Sequence, residues 1–213
     1  MEIISHNSPE YAPGDGTTKY NGAYYYSTEI VDHFIPAIKT DRNWVTLNIK
    51  GQCLDHSIVF IHNNKRPEMY EWLSDFDDLL LVCGIPETCE KVAHLGTPIY
   101  LPLSVKVDYV ERFRCEKDRD TAYAGRRVKR VSYILENVDF LENIPRDELL
   151  TQMAHYKNVY AVGRTAIEAK VLGCNVLPYD RRFPDPDIWQ VIDTSEAIKI
   201  LQKEIDKHDR HFG

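Results

Sequence analysis

The stretch Val159-Tyr160-Ala161-Val162-Gly163-Arg164-Thr165-Ala166-Ile167-Glu168-Ala169-Lys170-Val171-Leu172-Gly173-Cys174-Asn175-Val176 decides the fold. Val159–Val162 is apolar and β-branched enough to predict a strand. Gly163 predicts a turn, Thr165–Leu172 a helix, and Gly173 its stop. A second strand is expected over Val176–Tyr179. Strand, glycine turn, helix, glycine stop, strand is one βαβ unit, and such a unit pairs its strands in parallel.

The same alternation extends in both directions. Strands are expected at Glu2–Ser5, Trp44–Ile49, Ile58–His62, Leu79–Cys83, Pro98–Leu101, Thr121–Ala124 and Ser132–Leu135. Helices are expected at Ser27–Ile38, Pro67–Leu73, Glu87–Leu95, Arg146–His155 and Ser195–His208. Ser27-Thr28-Glu29 opens an apolar stripe of Ile30, Phe34 and Ile38, which Pro36 should bend or end early. Gly96 after Leu95 reads as a helix stop like Gly173. Pro145 with Asp147 and Glu148 reads as a helix start. In the last helix Ala197, Ile198, Leu201 and Ile205 share a face. Strands alternating with helices imply an α/β fold with parallel sheets. The unbroken apolar run Leu79–Cys83 suits a sheet covered on both faces.

The chain has 213 residues, enough for one large domain or two small ones at ~150 residues per domain. Residues 103–118 read as a crossing between two small Rossmann-like halves facing a cleft, 1–103 and 104–213, with the last helix free to return to the first half. Hydrophobic residues make up 43% and charged residues 28%, a globular composition that excludes disorder. The net charge of −7 disfavours a general binder of nucleic acid or anionic membrane. No run approaches the roughly 20 apolar residues of a membrane helix, and Met1-Glu2-Ile3-Ile4-Ser5-His6 lacks the basic-then-apolar pattern of a secretory signal. The five cysteines, Cys53, Cys83, Cys89, Cys115 and Cys174, include no C-x-x-C pair. They read as reduced thiols of a cytoplasmic protein, mostly buried.

Two glycine-bearing loops carry candidate chemistry. In Pro13-Gly14-Asp15-Gly16-Thr17-Thr18-Lys19-Tyr20, the glycines let backbone N–H groups approach a phosphate ahead of a helix; a solvated turn explains the same residues equally well. Around Gly163, free N–H groups near Arg164–Ala166, the helix dipole and the Arg164 guanidinium suit a diphosphate. Glu168, one turn beyond Arg164, is placed to accept ribose hydroxyls, or to form an i,i+4 surface pair with Arg164. His62 and His6 end strands, where polar side chains face the crevice of an open α/β sheet. Either could serve as acid/base or be an ordinary turn histidine. Asp185-Pro186-Asp187 and Asp75-Phe76-Asp77-Asp78 match D-x-D metal sites superficially, but loops and helix caps explain them better, and no metal is expected.

Gly163-Arg164-Thr165-Ala166-Ile167-Glu168-Ala169…Gly173-Cys174-Asn175-Val176 resembles the donor-site motif of GT-B glycosyltransferases, in the large retaining group 1 (family 4-like) set that uses nucleotide sugars. Val138-Asp139-Phe140-Leu141…Pro145-Arg146-Asp147-Glu148-Leu149 is similar to the strand and P-x-x-E-L helix leading into it. Ala122-Tyr123-Ala124-Gly125-Arg126 resembles the family's strand-then-Gly-Arg segment. Asp108–Phe113 resembles its domain crossing, and Ile3…Tyr20 its first strand and acceptor-side loop.

The resemblance implies a GT-B fold and transfer of a sugar from a UDP- or GDP-sugar to an acceptor, with no separate cofactor. It implies nucleotide binding by Gly163, Arg164, Thr165 and Glu168, with Arg126 and Lys129 on the phosphates. Gly14, Gly16, His6 and His62 would serve the acceptor and sugar. The acceptor class stays open among a glycan, a lipid-linked glycan and a nucleic-acid base, as does a homo-oligomeric state. Two other readings remain: a non-catalytic relative that binds a nucleotide or sugar, and a phage-type enzyme that glycosylates DNA bases. The cluster Arg126-Arg127-Val128-Lys129-Arg130 suits the latter, whereas the net charge does not.

Overall fold

A computed structural model describes residues 1–4, 22–46, 52–62, 67–125, 138–142, 144–178 and 185–212. The architecture is α/β, with one five-stranded and one four-stranded sheet, both parallel. The chain forms two compact units that divide at Pro102 and Leu103. Ser195–Gly213, placed by the sequence in the 104–213 half but free to return, belongs to the first unit with Ala23–Pro102, and Leu103–Thr194 forms the body of the second. Each sheet is consistent with a Rossmann-like half.

In the first unit the strands are β1 (Ile3–Ile4), β2 (Asn43–Val45), β3 (Ser57–Ile61), β4 (Leu79–Cys83) and β5 (Thr97–Tyr100), paired in that spatial order. Every residue of β3 and β4 is buried, as a sheet packed on both faces requires. On one face Val59, Ile61, Leu79, Leu81 and Cys83 pack with Tyr70 and Leu73 of the 3₁₀ segment Pro67–Asp75 and with Val92. On the other, Phe60 stacks on Trp44 with centroids 6.2 Å apart and meets Tyr26 and Phe34 edge-on.

The first helix starts earlier than its sequence suggests. It runs from α1 (Gly22–Glu29) through a π turn (Ile30–Phe34) into the short α2 (Ile35–Ala37). Ser27 lies inside α1 and does not open it: it is buried, and its hydroxyl bonds that of Thr46 at 2.9 Å. The π turn lies immediately before Pro36, which has no N–H and whose ring crowds the carbonyl four residues back. Widening the turn, with Ile35 N–H donating to the Ile30 carbonyl, relieves the conflict. The helix α3 (Pro86–Val92) ends at Val92. Gly96 is therefore not its left-handed stop; it lies against the start of β4, where a Cβ would sit 2.7 Å from the Leu79 carbonyl oxygen.

Arg42 is fully buried just before β2 and anchors the C-terminal helix α7 (Thr194–Phe212). Its guanidinium donates to Asp209 of α7 at 2.8 and 3.1 Å and to the carboxylate and carbonyl of Asp78 at 3.1 and 3.0 Å. His56 bridges Asp78 and Asp41 through its two ring nitrogens. Asp78 and His56 both adopt positive φ, 52° and 55°. This polar network lies where β2, β3 and β4 begin.

In the second unit the strands are β6 (Arg119–Ala124), β7 (Asp139–Leu141), β8 (Tyr156–Tyr160) and β9 (Asn175–Leu177). The helices are α4 (Val107–Glu111), α5 (Arg146–Met153) and α6 (Arg164–Val171). The spatial order is β7-β6-β8-β9. The stretch 103–118, read from sequence as a plain crossing, contains α4, whose first N–H is capped at 3.1 Å by the Asp193 carboxylate. The expected strand Ser132–Leu135 lies outside the described residues. No helix among the described residues is long and apolar enough to cross a membrane.

Of the cysteines, Cys53, Cys83 and Cys174 are buried, Cys89 is half-buried and Cys115 is exposed; all five are free thiols. Burial pushes the thiols of Cys53, Cys83, Cys89 and Cys174 above their usual range.

Candidate functional site

The strand order of each unit bears on where a ligand can sit. In the first unit the chain adds strands steadily in one direction, and the described strands contain no reversal. In the second, the chain steps from β6 to β7 on one side, then returns past β6 to place β8 on the other. Connections leaving β6 and β8 therefore diverge at their C-terminal ends. In open parallel sheets that divergence forms the ligand crevice. Gly125 follows β6, and Ala161–Gly163 follows β8 and leads into α6.

Gly163 adopts φ 63° and ψ −139°, a backbone region that glycine alone occupies without strain. Among the described residues a Cβ there would meet Leu103 Cδ1 alone, at 3.9 Å. The glycine is thus required by the turn, and among the described residues nothing else crowds the space a Cβ would take. The Gly163 carbonyl accepts the N–H groups of Ala166 and Ile167 at 3.0 and 3.2 Å. The expectation that N–H groups through Ala166 are free is corrected at Ala166, whose N–H is taken up within the turn; the Thr165 N–H makes no backbone bond among the described residues. At the other end of α6 Gly173 takes φ 80°, and Cys174 N–H closes on the Ala169 carbonyl at 2.9 Å, the stop expected from sequence.

Arg164 and Glu168 form an ion pair, but not on the surface; their exposures are 7% and 4%. Arg164 Nε lies 3.3 Å from Glu168 Oε1. The same oxygen accepts Arg146 Nε at 3.0 Å, and Arg146 Nη2 stands 2.8 Å away. All three contacts fall on Oε1, and Oε2 accepts no bond from the described residues. Arg146 is the residue that the sequence reading missed as part of the site. It was visible only as the start of α5, because spacing rules reveal partners one helical turn away and Glu168 lies 22 residues on.

Arg146 is itself supported from α4. Its guanidinium carbon sits 5.4 Å from the Tyr109 ring centroid, and Arg112 shares that ring at 5.7 Å. The Tyr109 hydroxyl donates to the Asp147 carboxylate, a bond that raises the phenol's pKa. Thr165 is half-buried.

His62 ends β3 in the first unit. Its Nε2–H donates to the Thr46 carbonyl, and its ring meets Tyr26 edge-on at 5.8 Å. Burial pushes its pKa down to about 4, against a smaller upward pull from the Thr46 bond. The ring is therefore neutral at pH 7, with Nδ1 as its acceptor. The Asp185 side chain caps the 3₁₀ turn Pro186–Ile188 by accepting Asp187 N–H at 3.0 Å. Asp78 is taken up by Arg42 and His56. His6, Gly14, Gly16, Arg126 and Lys129 lie outside the described residues.

No protein-family model, curated protein or solved structure matches the chain.

Proposed function

We propose that the chain is a nucleotide-sugar-dependent glycosyltransferase of GT-B type whose second unit binds the nucleotide of a UDP- or GDP-sugar. The observation that carries this reading is the state of Glu168. One carboxylate oxygen is held by two guanidiniums, and the other is left for a ligand's hydroxyls beside the strand reversal. A fixed carboxylate of this kind is suited to a ribose.

The turn at Gly163 supports close approach of a diphosphate to the Thr165 N–H and the start of α6. In the transfer, the acceptor's hydroxyl oxygen bonds to the anomeric carbon as the bond from that carbon to the β-phosphate oxygen breaks, and the hydroxyl proton passes to the departing diphosphate. The electron pair leaves with the nucleoside diphosphate, and the helix N-terminus and Arg164 stabilise its charge. On the same reading Arg126 and Lys129 complete the phosphate contacts. Gly14, Gly16, His6 and His62 are assigned to the acceptor and sugar by resemblance alone.

The test is calorimetric binding of UDP, GDP and their hexose conjugates, with release of free nucleotide followed in parallel. A ligand at 100 times its Kd adds ~2.7 kcal/mol of stability, so the melting temperature should rise visibly. Absence of both binding and release overturns the reading. One observation favours a second reading, a binding protein without transfer activity: His62 is neutral and already tied to a backbone carbonyl. That reading expects binding with no nucleotide release.

A further inference from the structure

We propose that Arg146 is a positioning residue that orients Glu168 so that Oε2 is presented to a ribose hydroxyl. The inference rests on the nucleotide-binding reading and deepens it. Arg164 and Glu168 share α6, so their contact cannot fix the helix's carboxylate against the rest of the unit. Arg146 comes from α5, its side chain is 17% exposed, and it approaches Oε1 more closely than Arg164 does.

Its own position is fixed twice. The Tyr109 ring of α4 lies beneath the guanidinium, and the Tyr109 hydroxyl is bonded to Asp147, the next residue on α5. Two helices thus meet on one carboxylate oxygen, and a third, α4, holds the arginine that joins them. A glutamate has three side-chain torsions, and binding through it must first select one rotamer. Arg146 makes that selection before a ligand arrives, and it leaves the acceptor that a diol needs.

The consequence is specific: Arg146 should govern recognition of ribose hydroxyls and not of the phosphates or base. The experiment compares UDP and GDP with their 2′,3′-dideoxy analogues by calorimetry on wild type, Arg146→Met and Arg146→Lys. Wild type should prefer the hydroxylated nucleotide by roughly 10- to 100-fold. Arg146→Met should lose most of that preference while binding the dideoxy analogue as wild type does. Lysine restores charge but not the planar fork, so Arg146→Lys should fall between.

If Arg146→Met fails to fold, Arg146→Lys carries the comparison alone: it should lose part of the preference while binding the dideoxy analogue as wild type does. Equal weakening of both ligands would mark Arg146 as a structural prop and overturn the proposal. An unchanged preference in Arg146→Met overturns it too while leaving nucleotide binding intact. If wild type binds no nucleotide at all, the functional reading falls and this proposal with it.

Discussion

Glu168→Gln separates the two duties of the carboxylate. In the native chain Oε1 receives contacts from two guanidiniums at 2.8–3.3 Å in a site of low exposure. Glutamine keeps a carbonyl oxygen in the same place but removes the charge. A hydrogen bond to a charged group contributes roughly 1.5–3 kcal/mol and a neutral one about 0.5–1.5. The loss is therefore about 1–1.5 kcal/mol for each guanidinium, or roughly 2–3 kcal/mol together. For a chain of this length each kcal/mol moves the melting temperature by about 2–4 °C. Calorimetric melting of Glu168→Gln should accordingly fall by ~4–12 °C. UDP or GDP affinity should drop as well, because the amide offers a donor where the ribose hydroxyl needs an acceptor. A variant that melts within about 1 °C of wild type would refute the buried clamp outright, since no compensation of that size is available from a neutral side chain. A large melting shift with unchanged nucleotide affinity would leave the clamp standing and remove the ribose from it.

Two more outcomes follow from the backbone and from titration. Gly163→Ala forces an L side chain into φ 63°, ψ −139° and should cost about 1–3 kcal/mol. Its melting temperature should fall although nothing among the described residues crowds a Cβ there; an unchanged melt would show that the turn relaxes freely. His56 has its pKa raised, chiefly by its bond to Asp78 and also by the bond to Asp41, against burial and the nearby Arg42 charge. Burial alone would raise the Asp78 carboxyl, but the His56 and Arg42 contacts hold it below its usual value. The His56 contribution is therefore fully present below its ordinary value of 6.5 and is lost as pH rises through the folded value. The Asp78 contribution is present above 3.8 and is lost as pH falls through its folded value. The melting temperature of wild type minus that of His56→Gln should thus shrink as pH rises above 6.5 through the raised folded value of His56; a constant difference would sink the assignment.

What was legible in the sequence was whatever depends on neighbours along the chain. Leu79–Cys83 is a strand with the expected bounds, because five consecutive apolar residues admit little else in a chain of this composition. Gly163 and Gly173 bracket α6 as expected, since each marks a conformation that other residues avoid. The helix start at Ser27 was misplaced because the apolar stripe begins there, while α1 itself begins at Gly22 and the partner of the Ser27 hydroxyl, Thr46, lies 19 residues away. Arg146 was hidden for the same reason. The order of strands was hidden more deeply. Nothing local distinguishes the steady first sheet from the reversed second one, and it is on the reversal that the proposed placement of a ligand at the end of β8, not of β3, rests.

Lys117 gives this arrangement a further property. Its ammonium donates to the Ala154 carbonyl at 2.6 Å and to the Leu172 carbonyl at 2.8 Å, the residues that end α5 and α6. The two helices are eight residues each. They are fastened at their starts by Arg146 on Glu168 and at their ends by one shared cation, like two rungs held between the same pair of rails. Fraying of α5 takes Arg146 away from the buried Glu168, and fraying of either helix costs the half-buried Lys117 a carbonyl partner. They should therefore open to solvent as a single cooperative block, and amide exchange along α5 and α6 should share one free energy rather than two. A binding event at the head of either helix would then be registered along the full length of both.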